Sequence, residues 1–278
     1  MRPLVCLLIS LVGFSSPVVS AESAPPSPAP QTRKHTSSLT FKNGTYTSIF
    51  GIVPKEYKLE SEETREIILK KEDESTFTLM LVASETRRIL SIPDETPSVE
   101  SAPKPLTGKT LRVTRAGEKW DFEVVGNVPP SEEETREAQR LITRYQPGAS
   151  PFIKLPWTPE GTAAVDVVSL LVFLGYTHVS ELHGSAQVKR STNDPSGPLT
   201  LDVDAIFQSG EMNARISVEL KASGTLLHPE EAAIEQKLRL DGQLNIHGER
   251  NLPDGRKVPY SLITEFKYET VSASVPGA

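Results

Sequence analysis

The run His178-Val-Ser-Glu181-Leu-His183 gathers two imidazoles and a carboxylate within six residues. These are the side-chain types with which zinc hydrolases bind their metal. Those enzymes use H-E-x-x-H or H-x-x-E-H, because a spacing of four puts both imidazoles on one helical face. Here the two histidines are five apart. On a strand, positions separated by five point to opposite faces. The spacing therefore predicts exposed loop or strand residues, and no metal site is expected. Asp202 and Asp204 share one polar face, but a calcium ion takes about 6–8 oxygens, so a solvated pair is the expectation. Asp166 lies in a strongly apolar run, where an ionised carboxylate is costly. Its expected place is a helix N-terminus, where free N–H groups and the dipole accept it. Gly184-Ser-Ala-Gln187 does not form the G-x-S-x-G elbow. The sequence has no G-x-G-x-x-G after a strand and no P-loop. No catalytic residue and no cofactor is expected, and the chain reads as a non-enzyme.

The N-terminal residues carry an address. Arg2 is a positive n-region, Leu4 to Phe14 an apolar h-region, and Val19-Ser20-Ala21 a small-residue cleavage site. Residues 1–21 are thus expected to be a signal peptide, too short in its apolar part for the ~20 residues that span a bilayer. The single cysteine, Cys6, lies inside this segment. The mature chain then has no disulfide, thiol nucleophile or thiolate metal ligand. A cysteine-free export product fits a bacterial envelope, periplasmic or extracellular. The formal net charge is −6 and no basic patch stands out, which argues against nucleic acid as a partner. No transmembrane span is expected in the mature chain.

Residues 22–38 are rich in Pro, Ser and Ala; Pro25, Pro26, Pro28 and Pro30 fix φ and remove donors. They read as a linker, and a single domain is expected over 39–275. Residues 91–105 have similar composition and read as a long exposed loop. Asn43-Gly44 is a hairpin-turn signal. Thr64 to Lys71 and Thr76 to Ala83 flank the polar turn Glu72-Asp-Glu-Ser75, which is hairpin spacing. Leu111 and Val113 alternate with polar residues, Ala116-Gly-Glu118 turns, and Trp120, Phe122 and Val124 alternate again.

Two helices are expected. Residues 131–146 open with the capping-box pair Ser131 and Glu134 and carry Ala138, Leu141, Ile142 and Tyr145 on one face. Arg140 and Arg144 complement the C-terminal end of the dipole, and Pro147-Gly148 stops the helix. Residues 163–174 are almost wholly apolar and stop at Gly175, which predicts a buried helix. From 178 onward the period becomes two. Leu199 to Phe207, Met212 to Ala222, Leu238 to Ile246 and Tyr260 to Tyr268 each alternate apolar with polar. That pattern predicts long antiparallel strands with one dry face. The fold class is therefore α+β, mainly β: a large curved antiparallel sheet, a half-barrel-like meander, with two central helices packed on it.

This layout resembles the outer-membrane lipoprotein carriers, the LolA/LppX-like half-barrels. It is also similar to uncharacterised exported bacterial β-rich families with a "GKTLRVTRAGEKWDF" hairpin, a central helix, an "LPWTPEG" segment and a meander. The resemblance spans most of residues 39–275 and implies a curved sheet wrapped around helices. No site residue of a carrier maps onto this sequence. The continuous apolar face suggests a non-catalytic envelope protein holding an apolar small molecule or lipid-like ligand. The expected lining is Leu201, Val203, Phe207, Ile216, Val218, Leu220, Leu238, Leu240 and Leu244. The alternative is a structural or protein-interaction module with these residues as a filled core and an envelope protein as partner. A hydrolase built around His178 and His183 ranks last.

Overall fold

The computed structural model describes residues 31–50, 53–91, 96–126, 129–176, 178–191, 197–210, 216–227, 235–251 and 255–275. The signal segment and the prolines of the linker lie outside the described residues. The strands are β1 (Gln31–Phe50), β2 (Val53–Lys71), β3 (Thr76–Ser91), β4 (Ser98–Pro103), β5 (Thr110–Ala116), β6 (Lys119–Val124), β7 (Thr162–Ala164), β8 (Ser180–Lys189), β9 (Leu199–Ser209), β10 (Ile216–Leu227), β11 (Glu235–Asn251) and β12 (Lys257–Ser274). The helices are α1 (Glu132–Tyr145) and α2 (Val167–Phe173).

All twelve strands join one open antiparallel sheet in the order β6-β5-β3-β2-β1-β12-β11-β10-β9-β8-β7, with β4 beside β3. The first and last long strands meet in its middle: β1 pairs β2 on one side and β12 on the other. This contact joins the N-terminal strands to the C-terminal meander and makes one sheet of them. The expected class holds: a large antiparallel sheet carrying two helices.

Several boundaries differ from the sequence reading. Residues 31–38 are not linker; they are the start of β1, bonded along their length to β2 and β12. Asn43-Gly44 makes no hairpin. It is a bulge inside β1, with Asn43 at φ 53°, and the register shifts there against both neighbours. Residues 98–103, expected in a loop, form β4 against β3. The apolar run 163–174 is not one helix. Thr162–Ala164 pairs with β8, and the helix begins after Asp166. Asp166 takes the N-cap place expected of it, accepting the Ser169 N–H at 2.9 Å. That bond and the Ser169 hydroxyl, first the hydroxyl, hold its carboxyl below the usual range.

Two apolar clusters cover one face of the sheet. In the first, α1 lays Ala138, Leu141 and Ile142 on Ile67, Phe77, Leu79, Leu81, Leu111 and Val113 of β2, β3 and β5. The capping box sets where α1 begins: Ser131 accepts from Glu134 N–H at 3.2 Å and Glu134 accepts from Ser131 N–H at 2.8 Å. In the second, Leu170 and Leu171 of α2 sit among Val203, Phe207, Val218, Leu220, Leu240 and Leu244 of β9, β10 and β11. Strict alternation puts every second residue of β9 in this cluster, while Thr200, Asp202, Asp204 and Ile206 stay exposed.

Strand glycines set how closely the meander packs. A Cβ on Gly242 would lie 2.1 Å from the Lys221 carbonyl oxygen and 2.7 Å from Ala222 Cα, both backbone atoms of β10. Backbone atoms cannot swing aside, so the strands themselves must part. Gly242→Ala is expected to destabilise the protein by roughly 2–3 kcal/mol, the scale of overpacking a tight site. Urea titration checks it; a loss below about 0.5 kcal/mol, the ordinary surface scale, would contradict this packing.

Candidate functional site

The register of five strands builds the floor of a cavity. Arg33 on β1 lies opposite Leu69 of β2, and His35 opposite Ile67 of β2 and Ser272 of β12. Ser272 in turn faces Gln236 of β11, Thr270 faces Leu238, and Leu238 faces Leu226 of β10. The roof is the C-terminal end of α1 with Arg144 and Tyr145, the turn 146–153, and Phe173 of α2. Together they enclose about 150 Å³ in a partly open cavity. Its apolar walls include Leu69, Phe77, Phe152, Phe173, Leu226 and Leu238. The cavity lies where the two apolar clusters adjoin, under the ends of both helices.

Its polar groups are unusual in sign. Among the described residues Arg33, His35, Lys71, Arg144 and Lys237 line it, and no Asp or Glu does. Arg33 donates from Nε to the Ser272 hydroxyl at 2.8 Å and from a terminal nitrogen to the Ser272 carbonyl at 3.1 Å. Arg144 donates to the Tyr268 hydroxyl. Its guanidinium carbon lies 5.5 Å from the Tyr145 ring centroid, 5.3 Å from Phe173 and 5.5 Å from Tyr268, a cage of cation–π contacts. The His35 ring meets Tyr145 edge-on at 5.0 Å. The His35 Nε2 and Arg144 Nε atoms are both enclosed and have no hydrogen-bond partner. Burial first, then the charges of Arg33 and Arg144, push His35 down to a pKa of about 3, so it is neutral at pH 7.

Of the nine residues expected to line a ligand space, Leu238 is in the wall of this cavity. The other eight pack in or against the α2 cluster: Leu201, Val203, Phe207, Val218, Leu220, Leu240 and Leu244 are buried there, and Ile216 is partly buried against it. Tyr176 joins that cluster, edge-on to Phe207 at 4.9 Å. Side chains from α2 and the 150s segment thus occupy the dry face of the meander.

The other candidates are not brought together. His178 sits in a turn at φ 51° and His183 on β8 beyond a bulge; both are exposed. Glu181 accepts from the Gln208 side chain at 2.5 Å. Asp202 and Asp204 lie on the exposed face, 3.8 Å from Lys189 and 3.9 Å from Lys221. Among the described residues no group of three or more His, Cys, Asp or Glu is placed to hold a metal ion. Among the same residues no helix is long and apolar enough to cross a membrane.

Sequence reasoning missed Arg33, His35 and Arg144. The signal for the first two was present: Arg33, His35, Ser37, Leu39 and Phe41 alternate along one face of β1. Nothing local singles out Arg144, whose hydroxyl partner Tyr268 is 124 residues away. No protein-family model matches the chain, and neither does any curated protein.

Proposed function

We propose that this chain is a non-catalytic, exported envelope protein that holds an apolar, lipid-like ligand in the cavity between the sheet and the end of α1. The carrying observation is the cavity itself: about 150 Å³ walled by Leu69, Phe77, Phe152, Phe173, Leu226 and Leu238. A dry apolar cavity of about 150 Å³ takes a molecule the size of benzene. The space therefore suits one chain or ring, and a two-chain lipid would leave most of itself outside. The α2 half of the sheet serves as a packed support. The ligand space lies at the junction, where the helix ends and the turn 146–153 form the roof.

A fluorescent fatty-acid probe tests this reading. The protein is expected to take up one equivalent. Ala149→Phe, which adds a ring to the roof, is expected to weaken uptake at least about tenfold, a loss of 1.4 kcal/mol or more. Ile206→Ala, on the exposed face, is the control. Absence of uptake by the wild-type protein would overturn the proposal in favour of a protein-interaction module with a closed core.

A further inference from the structure

We propose that the cavity recognises its ligand by a singly charged anionic head group on a single apolar chain, with Arg144 as the anchor. This rests on the reading of the cavity as a ligand site and adds what kind of ligand it takes. Every charged residue in the wall is basic among the described residues, although the chain as a whole carries a net charge of −6. A low-dielectric space lined by one sign of charge concentrates the opposite sign.

Arg144 is built to be a fixed cation. The rings of Tyr145, Phe173 and Tyr268 surround its guanidinium, and the Tyr268 hydroxyl takes one of its donors. No carboxylate pairs with it among the described residues, and its enclosed Nε has no partner. Arg144 is partly buried, and an enclosed charged donor without an acceptor is costly. A ligand oxyanion would supply the missing acceptor. His35 is the second polar group in the wall with an enclosed, unpartnered nitrogen. Its basicity is lowered by burial first, and then by the charges of Arg33 and Arg144. Lys71 lines the same space. The apolar walls then receive the chain, and the volume limits it to a short stretch.

Octanoate and 1-octanol share a chain and differ in charge, so their affinities separate head-group recognition from apolar burial. Titration calorimetry at pH 7 with residues 22–278 is expected to show octanoate binding at least about tenfold more tightly, the scale of one charge-assisted hydrogen bond. In Arg144→Met the preference is expected to vanish while octanol affinity stays within about twofold, since the side-chain volume is nearly kept. Equal binding of both ligands by the wild-type protein would overturn the anionic head group and leave the apolar cavity standing. Binding of neither would overturn both. A preference for octanoate that persists in Arg144→Met would remove Arg144 as the anchor. The wild-type ratio decides the head-group question even if the variant does not fold.

Discussion

Arg65→Met is expected to destabilise the protein by about 3–5 kcal/mol, the cost of breaking a buried ion pair by removing one partner. Arg65 reaches from β2 to Glu137 of α1 at 3.1 Å, and the two side chains are 12% and 7% exposed. The contact fixes where α1 sits on the sheet, and hence where its C-terminal end roofs the cavity. Glu63 accepts the hydrogen bond from Arg65 at 2.9 Å, the Glu137 contact being an ion pair, and is itself near Lys104 at 3.4 Å. Without Arg65, Glu63 keeps a cation, but Glu137 keeps only Arg140, 3.9 Å away and more than half exposed. The penalty thus falls on Glu137. Adding Glu137→Leu to Arg65→Met is expected to restore most of the loss, because an apolar pair of similar volume avoids desolvating a charge. Chemical denaturation of both single variants and the double variant measures the coupling. Additive losses, with no recovery in the double variant, would show that the pair does not seat α1.

Stability is expected to fall as the solution is acidified below pH 6.5, with His35 as a major cause. Its pKa is about 3 in the folded protein and 6.5 when free. The folded state therefore refuses a proton that the unfolded chain accepts between these values. The sign follows: stability is complete above about pH 6.5, is lost progressively down to about pH 3, and levels off below. Each pH unit within that window costs up to about 1.4 kcal/mol. Carboxylates also titrate in the lower part of the window, so the comparison is with His35→Leu. Between pH 7 and pH 4.5 the wild-type protein is expected to lose about 2–3 kcal/mol more than the variant. Equal losses would mean that His35 is solvated and that the cavity wall is not dry.

The parts of the fold that depend on local chemistry were legible in the sequence. The capping box of Ser131 and Glu134 is complete within four residues, and α1 forms where it predicts. Alternation over β9 to β12 likewise reads directly as buried and exposed faces. What was not legible depends on distant partners. Residues 31–38 look polar and linker-like, yet β2 and β12 supply their backbone bonds and impose the strand. Length favoured one helix over 163–174, but pairing of Thr162–Ala164 with β8 and the cap at Asp166 cut it short. The cavity was illegible for the same reason. Leu238 belonged to the expected lining, but its polar neighbours came from a segment read as tether and from a helix end read as dipole compensation. Only the meeting of β1 with β12 brings Arg33 and His35 beneath Arg144.

Native mass spectrometry of residues 22–278, purified from a bacterial periplasm without detergent, tests the ligand site most directly. One equivalent of extra mass that organic solvent removes is expected, and that compound should carry a single chain and an acidic head. A clean protein mass, together with no uptake of a fatty-acid probe, would contradict it and would make the cavity part of a closed core.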